Sequence, residues 1–230
     1  MKTGKRGIFV KREEILQRIR GRQIIAIVRG VDAEDCVSLA EALYRGGIDL
    51  MEITFDQRRP ESWITTAHTI YRVAAAMAGR MEVGAGTVCT TEQADLAYRG
   101  GAKYIISPDA DPAVIAHTRA RGMVSIPGAL TPSEIKRSYT AGADLVKVFP
   151  ASAVGAAFFK AVHAPLGHIP LLAVGGIHEK NLGEYLNAGA AGIGVGGNLV
   201  NRQWIQEGAF DQITAAAQAY RCAVGTVKGE

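Results

Sequence analysis

The chain has 230 residues, of which 48% are hydrophobic and 21% charged, and a mean hydropathy of +0.08. That is ample for a sizeable core, and 27 glycines against eight prolines fit tight turns rather than a low-complexity chain, so collagen-like, disordered and small disulfide-stapled classes are excluded. The net charge of +4 is local to the start: residues 1–12 carry Lys2, Lys5, Arg6, Lys11 and Arg12 and no acid, while the remainder holds 21 basic and 22 acidic residues. A nucleic-acid partner needs a basic stripe on the fold itself, so none is expected.

Cys36, Cys89 and Cys222 are scattered and form no CxxC pair, and the five histidines show no metal-ligand spacing, so no metal site is expected. No apolar run approaches the eighteen or so residues of a membrane span, and the first residues lack the apolar segment of a secretory signal. The expectation is a soluble, cytoplasmic protein: residues 1–10 as a flexible basic leader, and 11–230 as a single domain.

In chain order, residues 11–20 predict a helix, followed by the first strand at Ile24–Arg29. Further strands are expected at Leu50–Thr54, Met81–Ala85, Lys103–Ser107, Met123–Ile126, Leu145–Phe149, Leu171–Val174 and Gly192–Val195, eight in all. Amphipathic stretches lie between them, among them Cys36–Tyr44, Glu92–Tyr98, Ser133–Tyr139 and Leu182–Asn187. Thr131-Pro132-Ser133-Glu134 reads as a helix start with a capping box. Strict alternation of strand and helix predicts an α/β fold, a (β/α)₈ TIM barrel with an extra N-terminal helix plugging one end; an open doubly wound sheet is the alternative.

An internal repeat favours the barrel. Gly46-Gly47-Ile48, Gly100-Gly101-Ala102, Ala141-Gly142-Ala143 and Ala188-Gly189-Ala190 each end a helix and lead into the second, fourth, sixth or eighth strand. Five residues beyond the last glycine of each stand Glu52, Ile106, Lys147 and Gly194. Alternate strands of a barrel build shared layers, so these four should converge. A lysine among Leu145, Val146, Val148 and Phe149 is desolvated, which favours the neutral, nucleophilic amine, and a nearby glutamate can carry protons. The pair suits Schiff-base chemistry on a keto compound; the competing reading is a buried ion pair in a phosphosugar isomerase or phosphate-binding barrel. Gly175-Gly176 and Gly196-Gly197, after the last two strands, suit a phosphate held on backbone N–H groups.

The segments Met51-Glu52-Ile53-Thr54-Phe55, Val83-Gly84-Ala85-Gly86-Thr87-Val88, Ile105-Ile106-Ser107-Pro108, Ile126-Pro127-Gly128, Val146-Lys147-Val148-Phe149-Pro150-Ala151 and Val174-Gly175-Gly176-Ile177 occur in that order. With them the chain resembles the 2-keto-3-deoxy-6-phosphogluconate (KDPG) / 4-hydroxy-2-oxoglutarate (KHG) aldolase family, from about residue 22 to about residue 220. The resemblance implies a class I aldolase that needs no metal or other cofactor, with a small-molecule keto-acid substrate and a homotrimeric state. It assigns Lys147 as the Schiff-base lysine and Glu52 as the general acid/base. Thr87 becomes the contact for the pyruvate carboxylate, Pro108 and Phe149 become pocket walls, and Gly175, Gly176, Gly196, Gly197 and Asn198 bind a distal phosphate. Two positions depart from the pattern. Asp56 stands where the family's prototype has arginine, and Asn198 where it tends to have serine. The missing cation is expected from Arg29, with Arg58 and Arg59 as weaker candidates. The expected substrate is 2-dehydro-3-deoxy-6-phosphogluconate, giving pyruvate and glyceraldehyde 3-phosphate. 4-Hydroxy-2-oxoglutarate (giving glyoxylate) and 2-dehydro-3-deoxy-6-phosphogalactonate are the alternatives.

Overall fold

The computed structural model describes the backbone of residues 4–228 and the side chains of residues 12–227. Its strands are β1 (Ile24–Val28), β2 (Leu50–Thr54), β3 (Glu82–Gly86), β4 (Tyr104–Ile106), β5 (Val124–Ile126), β6 (Gly128–Ala129), β7 (Val146–Val148), β8 (Leu171–Val174) and β9 (Ala190–Val195). The helices are α1 (Gly4–Arg22), α2 (Ala33–Arg45), α3 (Trp63–Ala76), α4 (Thr91–Arg99), α5 (Pro112–Ala120), α6 (Pro132–Thr140), α7 (Ala151–Leu166), α8 (Leu182–Asn187), α9 (Arg202–Gln206) and α10 (Phe210–Lys228).

All pairings are parallel, in the order β5-β4-β3-β2-β1-β9-β8-β7-β6. β5 and β6 are two halves of the fifth barrel strand, interrupted at Pro127, which has no N–H to give its neighbour. Its carbonyl still accepts from Lys147 N–H at 2.8 Å, and Ala129 O accepts from Phe149 N–H at 3.2 Å, so the sheet closes on itself. The fold is the expected (β/α)₈ barrel rather than the open sheet. The four repeated helix ends also behave as the sequence requires. Gly47, Gly101, Gly142 and Gly189 have φ between +87° and +108°, a left-handed turn that ends the helix and aims the chain into the next strand.

Two apolar layers hold the barrel. Between strands and outer helices lies the larger, including Met51, Ile53, Ile105, Val146 and Ile193 from strands and Leu39, Leu43, Ile70 and Phe159 from helices. Inside the barrel lie Ile25, Leu50, Tyr104, Ile106, Val124, Ile126, Leu145, Leu172 and Val174, capped by Ile15, Leu16 and Ile19 of α1. The N-terminal helix is therefore the expected plug, and it runs longer than 11–20. Ion pairs fix it to the amino ends of the strands: Arg18 to Asp49 (2.9 Å) and Glu82 (3.0 Å), and Arg12 to Asp144 (3.1 Å). Residues 1–3, at the start of the expected flexible leader, lie outside the described residues. With the amino end sealed, any cavity must open at the carboxyl end. Among the described residues no helix is long and apolar enough to cross a membrane.

Candidate active site

At the carboxyl end of the barrel, Glu52 of β2 and Lys147 of β7 line a cavity of about 420 Å³. Both are buried, at 2% and 7% exposure. The sequence makes room for them: a Cβ added at Gly86, on the adjacent strand, would lie 2.6 Å from the Glu52 carboxyl, so only a bare backbone lets that carboxyl occupy its place. Of the four residues expected to share a layer, Glu52, Lys147 and Gly194 line the cavity and Ile106 packs in the interior cluster.

Burial raises the Glu52 carboxyl to about 7, opposed in part by the charges of Lys147 and Arg29. Burial also lowers the Lys147 ammonium, helped by Arg29 and opposed by Glu52. Both shifts favour the uncharged forms, which is the reverse of what a stabilising ion pair does. Consistently, Glu52 Oε2 is buried and accepts no hydrogen bond from any described residue, while Lys147 Nζ lies over the Phe149 ring, 4.8 Å from its centroid. A buried acceptor left open and an amine held against an aromatic wall suit a keto acid entering between them.

The other sequence-predicted residues come from loops after six different strand segments and meet on the same cavity. They are Arg29 after β1, Thr87 after β3, Pro108 after β4, Phe149 after β7, Gly175 and Gly176 after β8, and Gly196, Gly197 and Asn198 after β9. Arg29 Nη2 donates to Thr87 Oγ1 at 3.1 Å, so the guanidinium and the hydroxyl share one corner. Gly175 and Gly176 have φ of +98° and +73°, a turn that only glycine takes without strain. Asn198 Nδ2 donates to Ile177 O at 3.2 Å, tying the last two loops together.

Asp56 is absent from this cavity. Its carboxylate accepts from Arg58 N–H (3.0 Å) and Arg59 Nε (3.0 Å), which holds it below the usual carboxylate range. All three residues line a neighbouring groove of about 930 Å³, which shares Arg29 and Thr87 with the cavity. Arg29 therefore reaches the cavity of Glu52 and Lys147, whereas Arg58 and Arg59 are engaged elsewhere.

Sequence reasoning missed four features. Ile27 and Val174 form apolar walls, and the two-residue alternation from Ile25 and Leu172 was the signal that could have found them. Arg202 donates to Arg29 O at 3.1 Å across 173 residues, with no local signal. Thr87 has φ of +55°, a left-handed conformation that costs a β-branched residue about 1–3 kcal/mol. Gln57 and Gln93 bond around that strained turn.

The family described as KDPG and KHG aldolase matches residues 15–216. A 2-dehydro-3-deoxy-phosphogluconate aldolase of Treponema pallidum is 37% identical over 221 residues, covering 93% of this chain and 98% of its own. A 2-dehydro-3-deoxy-6-phosphogalactonate aldolase of Escherichia coli is 34% identical over 202 residues, covering 87% and 96%. Among solved structures, a native KDPGal structure superposes with a TM-score of 0.81 at 30% identity, covering 90% of this chain and 96% of its own. The KDPG aldolase of Legionella pneumophila, with pyruvate captured as a covalent carbinolamine, superposes with a TM-score of 0.79 at 27% identity, covering 88% and 95%.

Proposed function

Since the chain belongs to the KDPG and KHG aldolase family and is a class I aldolase, we propose that Lys147 and Glu52 carry its chemistry and that residues 11–230 act as one catalytic domain. The observation that carries this reading is the depressed, buried amine of Lys147 facing a cavity shared with a carboxyl raised to about 7.

In the cleavage direction, the neutral Lys147 amine attacks C2 of a 4-hydroxy-2-keto acid. Loss of water from the carbinolamine gives a protonated imine, which serves as an electron sink. Glu52, directly or through water, takes the C4 hydroxyl proton and the C3–C4 bond breaks. The aldehyde leaves, the enamine of pyruvate is protonated at C3 with help from Glu52, and water releases pyruvate. Arg29 and the Thr87 hydroxyl bind the carboxylate, and Pro108 and Phe149 wall the pyruvate half. Gly175, Gly176, Gly196, Gly197 and Asn198 receive the distal phosphate on backbone N–H groups.

The substrate we infer is 2-dehydro-3-deoxy-6-phosphogluconate, giving pyruvate and glyceraldehyde 3-phosphate. The galactonate epimer is a second reading, supported by a 2-dehydro-3-deoxy-6-phosphogalactonate aldolase at 34% identity and a probable one at 37%. We further propose a homotrimer.

Incubation with pyruvate and borohydride, followed by peptide mapping, tests the centre of the proposal. A reduced pyruvyl adduct on Lys147, abolished in Lys147→Ala, is the expected outcome. An adduct on another lysine, or none beside a working control aldolase, overturns the assignment.

A further inference from the structure

Thr87 is held in the left-handed region immediately after β3, and in that conformation its hydroxyl meets Arg29 at the cavity corner. A β-branched residue stays there only if its surroundings over-determine it. The surroundings here form a chain of two side-chain amides. Gln57 Nε2 donates to Thr87 O at 2.6 Å. Gln57 Oε1 accepts from Gln93 Nε2 at 3.0 Å. Gln93 Oε1 accepts from Cys89 N–H at 2.7 Å. Gln93 is fully buried, and its own N–H donates to the Thr90 side chain at the start of α4.

The direction of this chain is fixed from both ends. The Thr87 carbonyl can only accept, so Gln57 must present its NH2 group there and its oxygen to Gln93. The Cys89 N–H can only donate, so Gln93 must present its oxygen there and its NH2 group to Gln57. Reversing either amide would oppose two donors or two acceptors. The two glutamines thus bracket the turn at residues 87–89 with one self-consistent polarity and tie it to α4 on one side and to the β2–α3 loop on the other.

We propose that Gln57 and Gln93 are positioning residues that hold the strained Thr87 peptide, so that its hydroxyl and Arg29 together receive the substrate carboxylate. The inference rests on the assignment of that corner to the carboxylate. Releasing the relay lets Thr87 relax toward an extended φ and swings the hydroxyl off Arg29, while Lys147 and Glu52, on other strands, stay in place. The defect falls on keto-acid affinity and spares the chemical steps.

Gln57 is exposed, so Gln57→Met keeps the side-chain length and removes both amide contacts without emptying the core. The measurement is the pyruvate concentration that half-saturates borohydride trapping at Lys147, with the trapping rate at saturation beside it. Gln57→Met should raise the half-saturating concentration about tenfold, the scale of one lost hydrogen bond, and leave the saturated rate within about twofold. In a Thr87→Ala background the same substitution should add nothing, because the hydroxyl it positions is gone. An unchanged half-saturation in Gln57→Met, a rise of equal size in the Thr87→Ala background, or a loss confined to the saturated rate overturns the relay. An unchanged half-saturation in Thr87→Ala alone overturns the carboxylate assignment, and no adduct in the unsubstituted protein overturns the imine at Lys147; both results are distinct from any of these.

Discussion

Burial raises the Glu52 carboxyl strongly, and the direction of that shift sets a pH dependence. As the proposed base it must be ionised to take the C4 hydroxyl proton, and burial raises its titration to about 7 from an ordinary 4.5. The cleavage rate should therefore fall as pH drops through about 7, well above where an exposed glutamate would lose its charge. The downward shift of Lys147 acts in the same sense, leaving more neutral amine near neutrality. Glu52→Gln should lose about 10²–10⁴-fold in kcat, keep the pyruvate adduct on Lys147, and lose the fall in rate near pH 7 that Glu52 sets, leaving only the one set by Lys147. A normal rate in that variant would remove Glu52 from its role. Arg29 answers to a different measurement. Its guanidinium reaches the Thr87 hydroxyl at 3.1 Å, while Asp56 occupies Arg58 and Arg59. Arg29→Ala should raise the half-saturating pyruvate concentration about 10–100-fold, the scale of a charge-assisted hydrogen bond. Unaltered pyruvate affinity would assign the carboxylate to another cation.

At the scale of elements, the same physics explains what could be read in advance and what could not. Barrel strands buried on both faces must be apolar along their length, so short apolar runs between amphipathic stretches gave away eight strands in order. The glycine at each helix end then put Glu52 and Lys147 in equivalent places, since each stands five residues beyond the last glycine of its turn. The break at Pro127 was not legible, because it depends on which neighbour each side of the strand bonds. β9 starts at Ala190, before the expected Gly192, since two alanines carry little strand signal. The amide relay was hidden for another reason: Gln57 and Gln93 are 36 residues apart, and no local rule pairs them. Capping, by contrast, is local. Thr131 accepts from Glu134 N–H, and the Glu134 carboxylate accepts from Thr131 N–H at 2.8 Å, the box that the sequence announced. Thr131→Ala should cost about 1 kcal/mol and lower Tm by about 2–4 °C, read by calorimetry. No change would mean that packing of Ile135 alone holds α6.

Closure of the barrel brings together fifteen cavity residues that span positions 27 to 198. The proposed homotrimer rests on surface features. The surface offers a reason on α3, where Ile64 is 74% and Tyr71 58% exposed. Seven residues apart, they lie two turns along one helix face, with His68 stacked on Tyr71 at 6.4 Å. Two large apolar side chains left in water on one helix face offer a surface that a second copy can cover. Light scattering should give a mass three times 24.4 kDa. Ile64→Asp places a charge in that face and should lower the mass toward a single chain, while Lys147 still traps pyruvate. A single-chain mass for the unsubstituted protein would overturn the trimer and leave α3 an ordinary exposed helix. Loss of trapping together with loss of mass would instead show that assembly holds the β2–α3 loop, and with it Gln57 and the Thr87 corner, in working order.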